Sequence, residues 1–187
     1  GHPGLKDYQR RLRELAVETG RPVTFGLFSR KDAPDIWRTY AALLDETAAA
    51  GGRMFAQVHS RWLSAILSFK TQLPFDRLPV WKELRALPLE EQKQRLRDPE
   101  LRRRLVEAAR ERDNSKAIGT EARPPIYDWI FVMDTVEGPH RSVAEVARQR
   151  GVDPVEAMID VALEKDLDLF FLQPIANENQ DHALELI

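Results

Sequence analysis

Polar residues able to do chemistry stand at the end of an apolar segment in the first half of the chain. His59 and Arg61 follow Met54–Val58, and Gln57 lies within that segment. Parallel sheets place ligand-binding groups at the carboxyl ends of their strands. There an imidazole can bind a metal or move a proton, and a guanidinium can pair with a carboxylate through two hydrogen bonds. The alternatives are a structural hydrogen bond for the His59 ring and a solvent-facing side chain for Arg61.

Three further polar residues occupy comparable positions. Gln173 and Asn177 follow the apolar segment 168–172 and could point amides into a pocket at the same sheet edge, although such residues more often cap the next helix. Asp134 follows the segment 127–133 in the same way. The sequence contains no pair of carboxylates with recognisable acid and base spacing, so no catalytic residue is assigned.

Missing motifs exclude several enzyme classes. The sequence has no P-loop, no G-x-G-x-x-G, no G-x-S-x-G and no H-E-x-x-H, and without cysteine it has no thiol nucleophile. The four histidines are too far apart in the sequence to form a self-contained metal site. They are His2, His59, His140 and His182.

The elements that must position these residues begin with an alternation of helices and strands. Apolar residues at helical spacing predict a helix over 5–19, and the apolar run 23–28 predicts a buried strand. Asp32 can cap a second helix with Pro34 in its first turn, and 54–58 is the next strand. Because two helix-strand pairs follow one another, we expect parallel strand pairing through a crossover.

The rest of the chain is predicted to hold short helices, two strands and a final helix. Prolines divide the stretch 74–112 into short helical pieces, and the polar stretch 112–125 is expected to be a loop. Ser142 and Glu145 form a capping box, and Gly151 ends the helix that this box starts. The remaining predicted elements are a strand over 127–133, a helix over 154–165, a strand over 168–172 and a helix after Asn177.

Composition and charge limit the partners. The chain has 187 residues with 28 Lys plus Arg, 30 Asp plus Glu and no Cys, for a net charge of −2. Residues 142–165 have helix-turn-helix spacing, but residues 151–187 carry nine acids and one base, which would repel phosphates. No stretch approaches the ~20 apolar residues of a membrane-spanning helix. We therefore expect no nucleic-acid partner, no membrane partner and a cytoplasmic location.

Several segments, in their order along the chain, carry a resemblance to a known family. They are Gly20–Phe25, Leu87–Leu89, Arg95–Arg102, Ser142–Ala147, Gly151–Met158 and Phe171–Pro174 with Ala176 and Asn177. Together they resemble the N-acyl-D-amino-acid deacylase (D-aminoacylase) branch of the amidohydrolase superfamily. The likeness spans essentially the whole chain, and it depends on the order of the segments because no single one is diagnostic.

The resemblance implies both a fold and an activity. The fold would be α/β, with parallel βα units belonging to a (β/α)8 TIM barrel and a helical insertion at 74–112. The activity would be metal-dependent hydrolysis of an amide C–N bond in N-acyl-D-amino-acid-like substrates, with zinc activating a water. The family's motifs carry no metal ligand over to this chain: either this branch uses fewer metal ligands, with His59 replacing one from the next strand, or the substrate class has drifted. By their positions at strand ends, the candidate substrate-binding residues are Gln57, Arg61, Gln173 and Asn177.

Only part of such a barrel is expected in this chain. Neither the family's His-x-His pair nor its Ser-Asp-Ala/Gly-Gly-type segment is present, and Phe25-Gly26-Leu27 stands where metal-binding deacylases show Ser-His after the strand. We interpret residues 1–4 as a tag remnant and the rest as a single partial domain from the C-terminal half of a barrel. Alone it would be inactive and would self-associate through exposed strand edges unless the remainder of the barrel covers them. The alternative is a non-catalytic α/β scaffold or interaction module that uses the acidic surface of 151–187.

Overall fold

A computed structural model describes residues 3–31, 33–111 and 125–187. The chain forms two compact units, of which the first comprises Gly1–Leu63 with Ile175–Ile187 and the second comprises Ser64–Pro174. The described residues form helices and small sheets, so the fold is α/β, and no closed barrel is found among them. No helix in these ranges is both long enough and apolar enough to cross a membrane.

The elements are numbered along the chain. The first unit contains most of the amino-terminal elements and the last helix, and the second contains the elements between them. In order they are α1 (Pro3–Thr19), β1 (Val23–Gly26), α2 (Ile36–Ala49), β2 (Met54–Gln57), β3 (Leu63–Leu67), α3 (Pro79–Arg85), α4 (Leu89–Arg95), α5 (Pro99–Arg110), β4 (Phe131–Val132), α6 (Val143–Arg150), α7 (Pro154–Glu164), β5 (Phe171–Ala176) and α8 (Gln180–Glu185).

The first unit is built on a parallel strand pair. β1 and β2 pair in parallel with Val23 opposite Met54, and α2 is the crossover between them. Helices α1 and α2 pack together, and the small core contains Ala16, Val23, Leu43 and Met54. The predicted helix over 5–19 and the predicted parallel pairing are therefore confirmed.

The start of α2 differs from the prediction. The residue that precedes the helix is Asp35, so Pro34 lies outside the helix rather than in its first turn. Asp32 lies outside the described residues. The end of α1 agrees with a glycine cap, because Gly20 has a φ of +66°, a left-handed conformation that glycine adopts without steric cost.

The second unit contains a three-stranded sheet in the order β3-β5-β4. β4 is antiparallel to β5, with Val132 opposite Phe171, so the expectation of parallel units alone is wrong for this sheet. The predicted strand over 127–133 was too long, since Tyr127–Trp129 form a 3₁₀ turn and only Phe131–Val132 pair with β5.

The last strand begins later than predicted. Asp166 and Leu167 both have left-handed φ values, of 57° and 59°, and this turn separates α7 from the strand. β5 therefore runs over Phe171–Ala176 instead of 168–172. As a result Gln173 lies inside the strand, and Asn177 is the first residue after it.

The helices of the second unit begin and end largely where the sequence predicts. Three helices, α3, α4 and α5, lie within the stretch 74–112, and α3 and α5 each begin at a proline. The Ser142 hydroxyl accepts from the Glu145 amide at 3.1 Å, and the Glu145 carboxylate accepts from the Ser142 amide at 2.7 Å, which is the predicted capping box. Gly151, with φ of +69°, ends α6. Most of the predicted loop over 112–125 lies outside the described residues.

A partly buried arginine joins several loops and helices of the second unit. Arg85, at the end of α3, donates to the Asp76 carboxylate at 3.1 Å and to the Gln92 amide oxygen at 2.7 Å. It also donates to the backbone oxygens of Phe69 and Thr71. The Arg85 side chain is 12% exposed and that of Asp76 is 20% exposed, so this network is largely shielded from water.

Candidate functional site

The first unit brings together the segments that follow three strands. Ser29 lies beyond β1, His59 lies beyond β2, and Asn177 follows β5 directly. Because β1 and β2 are parallel, their carboxyl ends meet at one edge of the sheet. This edge is where the sequence predicted a site, and Asn177 joins the two loops that leave it.

Asn177 is completely buried and makes contacts at every polar atom of its amide. Its Oδ1 accepts from the Ser29 backbone amide at 3.0 Å. Its Nδ2 donates to the backbone oxygen of His59 at 2.8 Å and lies 3.4 Å from that of Arg61. Its own backbone amide donates to the Ser29 backbone oxygen at 2.8 Å. One side chain therefore links residues that are more than a hundred positions away in the sequence.

The predicted residues on the β2 side are presented to solvent. His59 is exposed, and its ring stacks on Phe28 with a centroid distance of 6.1 Å and an interplanar angle of 11°. Arg61 is exposed, and its guanidinium has no ion-pair or hydrogen-bond partner among the described residues. Gln57 is also exposed and lies opposite Gly26 at the end of the parallel pair. This loop offers an imidazole and an unpaired cation to a ligand.

Two residues of this cluster were missed from the sequence. The hydroxyl of Ser29 lies 3.0 Å from Nδ1 of His182 on α8, and the His182 ring lies 5.9 Å from the Trp37 ring. The signal for Ser29 was its place just after a predicted strand, the same signal that identified His59. Trp37 is buried at 5% exposure. No feature of the neighbouring sequence identified His182, because its contact with Ser29 depends on how α8 packs.

An ion pair holds α8 against α2. Arg38 donates to Oε2 of Glu185 at 2.7 Å, and its guanidinium lies 4.2 Å from the centroid of the Trp37 ring. The hydrogen bond from Arg38 holds the pKa of Glu185 below its ordinary value. This contact anchors the helix that carries His182.

Gln173 belongs to the second unit and is described with it. It is 7% exposed, and its amide oxygen has no hydrogen-bond partner among the described residues. A buried acceptor without a donor costs free energy, about 1–3 kcal/mol, so Gln173 is either a cost to the fold or a group that a ligand satisfies. Asp134, the other strand-end candidate, is exposed and forms an ion pair with Arg141 at 2.7 Å.

The described residues do not form a complete zinc site. Among them no group of three His, Cys, Asp or Glu side chains is close enough to hold a metal ion. The imidazoles of the cluster are those of His59 and His182, and Nδ1 of His182 is in hydrogen-bond contact with Ser29, which leaves its Nε2 as the nitrogen that could bind a metal. A zinc ion at this edge would therefore need further ligands from outside the described residues.

A groove of about 640 Å³ lies in the second unit beside α5 and the turn between α6 and α7. Its three arginines are paired with acids: Arg102 with Asp160, Arg103 with Glu100 and Glu107, and Arg110 with Asp153. Since these guanidinium groups already have carboxylate partners, the groove does not present a free cation to an anionic ligand.

Comparison with known proteins does not assign the chain to a family. No protein-family model, no curated protein and no solved structure matches it.

Proposed function

We propose that this chain is part of an amidohydrolase that cleaves the amide C–N bond of an N-acyl-D-amino-acid-like substrate. The observation that carries the proposal is that Asn177 joins the loops after β1 and β2. The second of these loops contains His59 and Arg61, two positions apart and both exposed. Binding sites of parallel α/β proteins form at this edge. The order of family-like segments in the sequence supports the same assignment.

The unit β1-α2-β2 is the repeating piece from which a (β/α)8 barrel is built. We propose that it belongs to such a barrel, that 74–112 is an insertion into it, and that the remaining strands come from the rest of the protein. The exposed Phe55 on β2 supports this view, because parallel strands are normally covered on both faces.

Arg61 is the residue we assign to the substrate carboxylate. An N-acyl amino acid carries a free carboxylate next to the amide, and a guanidinium binds that group through two hydrogen bonds. In the reaction, water adds to the acyl carbon, the C–N bond breaks, and the released nitrogen takes a proton to give the free amino acid. In this proposal His59 and Gln57 contact the amide while Arg61 holds the carboxylate.

Zinc is part of the proposal through the family resemblance alone. In such enzymes the metal supplies an activated water. The described residues contribute at most two candidate ligands, His59 and His182, and no group of three, so we derive no step through a metal from them. Zinc content of the longer gene product, measured by elemental analysis, tests this part separately.

The test is hydrolysis of a panel of N-acyl-D-amino acids by the longer gene product and by its Arg61→Ala variant. Charge-assisted hydrogen bonds are worth about 1.5–3 kcal/mol, so KM for substrates with a carboxylate should rise about 10- to 100-fold. Neutral amides without that carboxylate should change little.

Arg21→Ala is the matched control, because Arg21 is an exposed arginine that precedes β1 and lies at the other end of the strand. Equal losses for charged and neutral substrates, or the same loss in the Arg21 variant, would contradict the role of Arg61. An unmodified enzyme that hydrolyses no member of the panel would contradict the proposed activity.

The scaffold alternative depends on a free acidic surface over 151–187. Seven of the nine acids in this stretch already form ion pairs with basic side chains, which reduces the charge available to a partner. The seven are Asp153, Glu156, Asp160, Glu164, Asp166, Asp168 and Glu185. These ion pairs weaken the case for a docking surface built on these acids.

A further inference from the structure

We infer that Asn177 is a positioning residue, which sets the backbone of the loops after β1 and β2 and thereby the place at which Arg61 is presented. The bracing is a property of the fold, and its functional consequence rests on the proposed function. Asn177 acts through backbone atoms of other residues and does not itself touch the substrate.

The side chain of Asn177 is not accessible to a ligand. It is 0% exposed. Its amide oxygen accepts from the Ser29 amide, and its amide nitrogen donates to the His59 backbone oxygen. The sequence predicted that Asn177 contacts the substrate, whereas its burial and contacts favour a role in holding the two loops in position.

The backbone conformation of Asn177 explains why this residue type stands there. Its φ is +58°, in the left-handed region. Among residues with a side chain, Asn and Asp tolerate this region best. Unlike Asp, Asn also offers both an acceptor for the Ser29 amide and a donor for the His59 oxygen. Glycine would fit the backbone and lose both contacts, and aspartate would keep the acceptor alone.

The bracing matters because the groups it satisfies are buried. Ser29 is 1% exposed, so its amide has no ready access to water if Asn177 is truncated. The loop 58–62 is exposed at most positions. It is held by the hydrogen bond from Asn177 to the backbone oxygen of His59, two residues that are 118 positions apart in the sequence. Removing the amide should free this loop while leaving α1 and α2 intact.

The experiment measures amide hydrogen exchange, residue by residue, in the 187-residue chain and two variants. In Asn177→Gly the protection factor of the Ser29 amide should fall about 10- to 100-fold, the range expected for loss of one buried hydrogen bond. The loop 58–62 should exchange faster in the same variant. Asn177→Asp should restore protection at Ser29 and leave the loop 58–62 fast, because it keeps only the acceptor.

Asn179→Asp is the control. Asn179 caps α8 by accepting from the amides of Asp181 and His182, and an aspartate carboxylate keeps that role. Unchanged exchange at Ser29 and at 58–62 in Asn177→Gly would overturn the inference. So would a uniform rise in exchange through α1 and α2, because that result means general unfolding rather than loop release.

Kinetics of the longer gene product separate this inference from the proposed function. If Asn177 acts through Arg61, Asn177→Gly should raise KM for the carboxylate substrates with little change in kcat. The double variant with Arg61→Ala should then cost less than the sum of the two single changes. Additive effects would overturn the link to Arg61. If the unmodified enzyme hydrolyses nothing, the proposed function fails, and the exchange experiment alone decides the bracing role.

Discussion

Replacement of Arg85 by alanine should destabilise the protein strongly. Arg85 donates to one carboxylate, one amide oxygen and two backbone oxygens, and it is 12% exposed. Removing it takes the Arg85 guanidinium away from the Asp76 carboxylate. Breaking a buried ion pair by removing one partner costs about 3–5 kcal/mol.

The lower end of that range applies here. Asp76 is 20% exposed and keeps a hydrogen bond from the Leu73 amide at 2.9 Å, so water and that amide recover part of the loss. We therefore expect a loss of about 3 kcal/mol in the free energy of unfolding. For a chain of this size that corresponds to a fall in Tm of roughly 6–12 °C.

Urea unfolding followed by circular dichroism measures the effect. Arg104→Ala is the control, because Arg104 is exposed on α5 and an exposed change of this kind stays within about 0.5 kcal/mol. Arg85→Lys should recover little, since an ammonium cannot reach all four acceptors as the planar guanidinium does. A loss below about 1 kcal/mol for Arg85→Ala, or full recovery by lysine, would refute the reasoning.

Three further predictions concern the second unit. Ser142→Ala should cost about 1 kcal/mol by removing the cap of α6, whereas Ser142→Asp should retain most of it; chemical denaturation measures both, and an equal loss in the two variants would contradict the capping role. Gly151→Ala should cost about 1–2 kcal/mol because φ is +69°, and Gly151→Asn should cost less; equal Tm values for these two variants would contradict that cause. The hydrogen bond between Lys93 and Asp166, at 2.7 Å, raises the pKa of Lys93 and lowers the pKa of Asp166. The difference in free energy of unfolding between the unmodified protein and Lys93→Met should thus be constant from about pH 5 to 9. It should shrink as the pH falls below the ordinary carboxyl pKa of about 3.9 and Asp166 takes up a proton, and as the pH rises above the ordinary ammonium pKa of about 10.4 and Lys93 loses one. A difference independent of pH in unfolding titrations would exclude the pair.

The sequence predicted the elements of the first unit well because their signals are local. The helical spacing of α1 and the strand-helix-strand order from β1 to β2 were enough to expect parallel pairing, which the register of Val23 with Met54 confirms. The same applies to the capping box at Ser142.

The sequence was less informative for the second sheet. The apolar run 127–133 reads as a strand, but its pairing is limited to Phe131 and Val132 because the chain turns at Tyr127–Trp129. The direction of that pairing is antiparallel. Nothing within a single apolar run states which neighbour it will pair with or in which direction, because both depend on the path of the chain between the strands.

Local sequence by itself determined the α/β class, the βαβ crossover and the position of His59 and Arg61 at the end of a strand. Tertiary structure alone decided the contacts that turn these residues into a cluster. The hydrogen bonds of Ser29 to Asn177 and to His182 span 148 and 153 residues. Side chains so far apart in sequence meet only after the strands have paired and α8 has packed, since the loop entropy lost in bringing them together is offset by that packing.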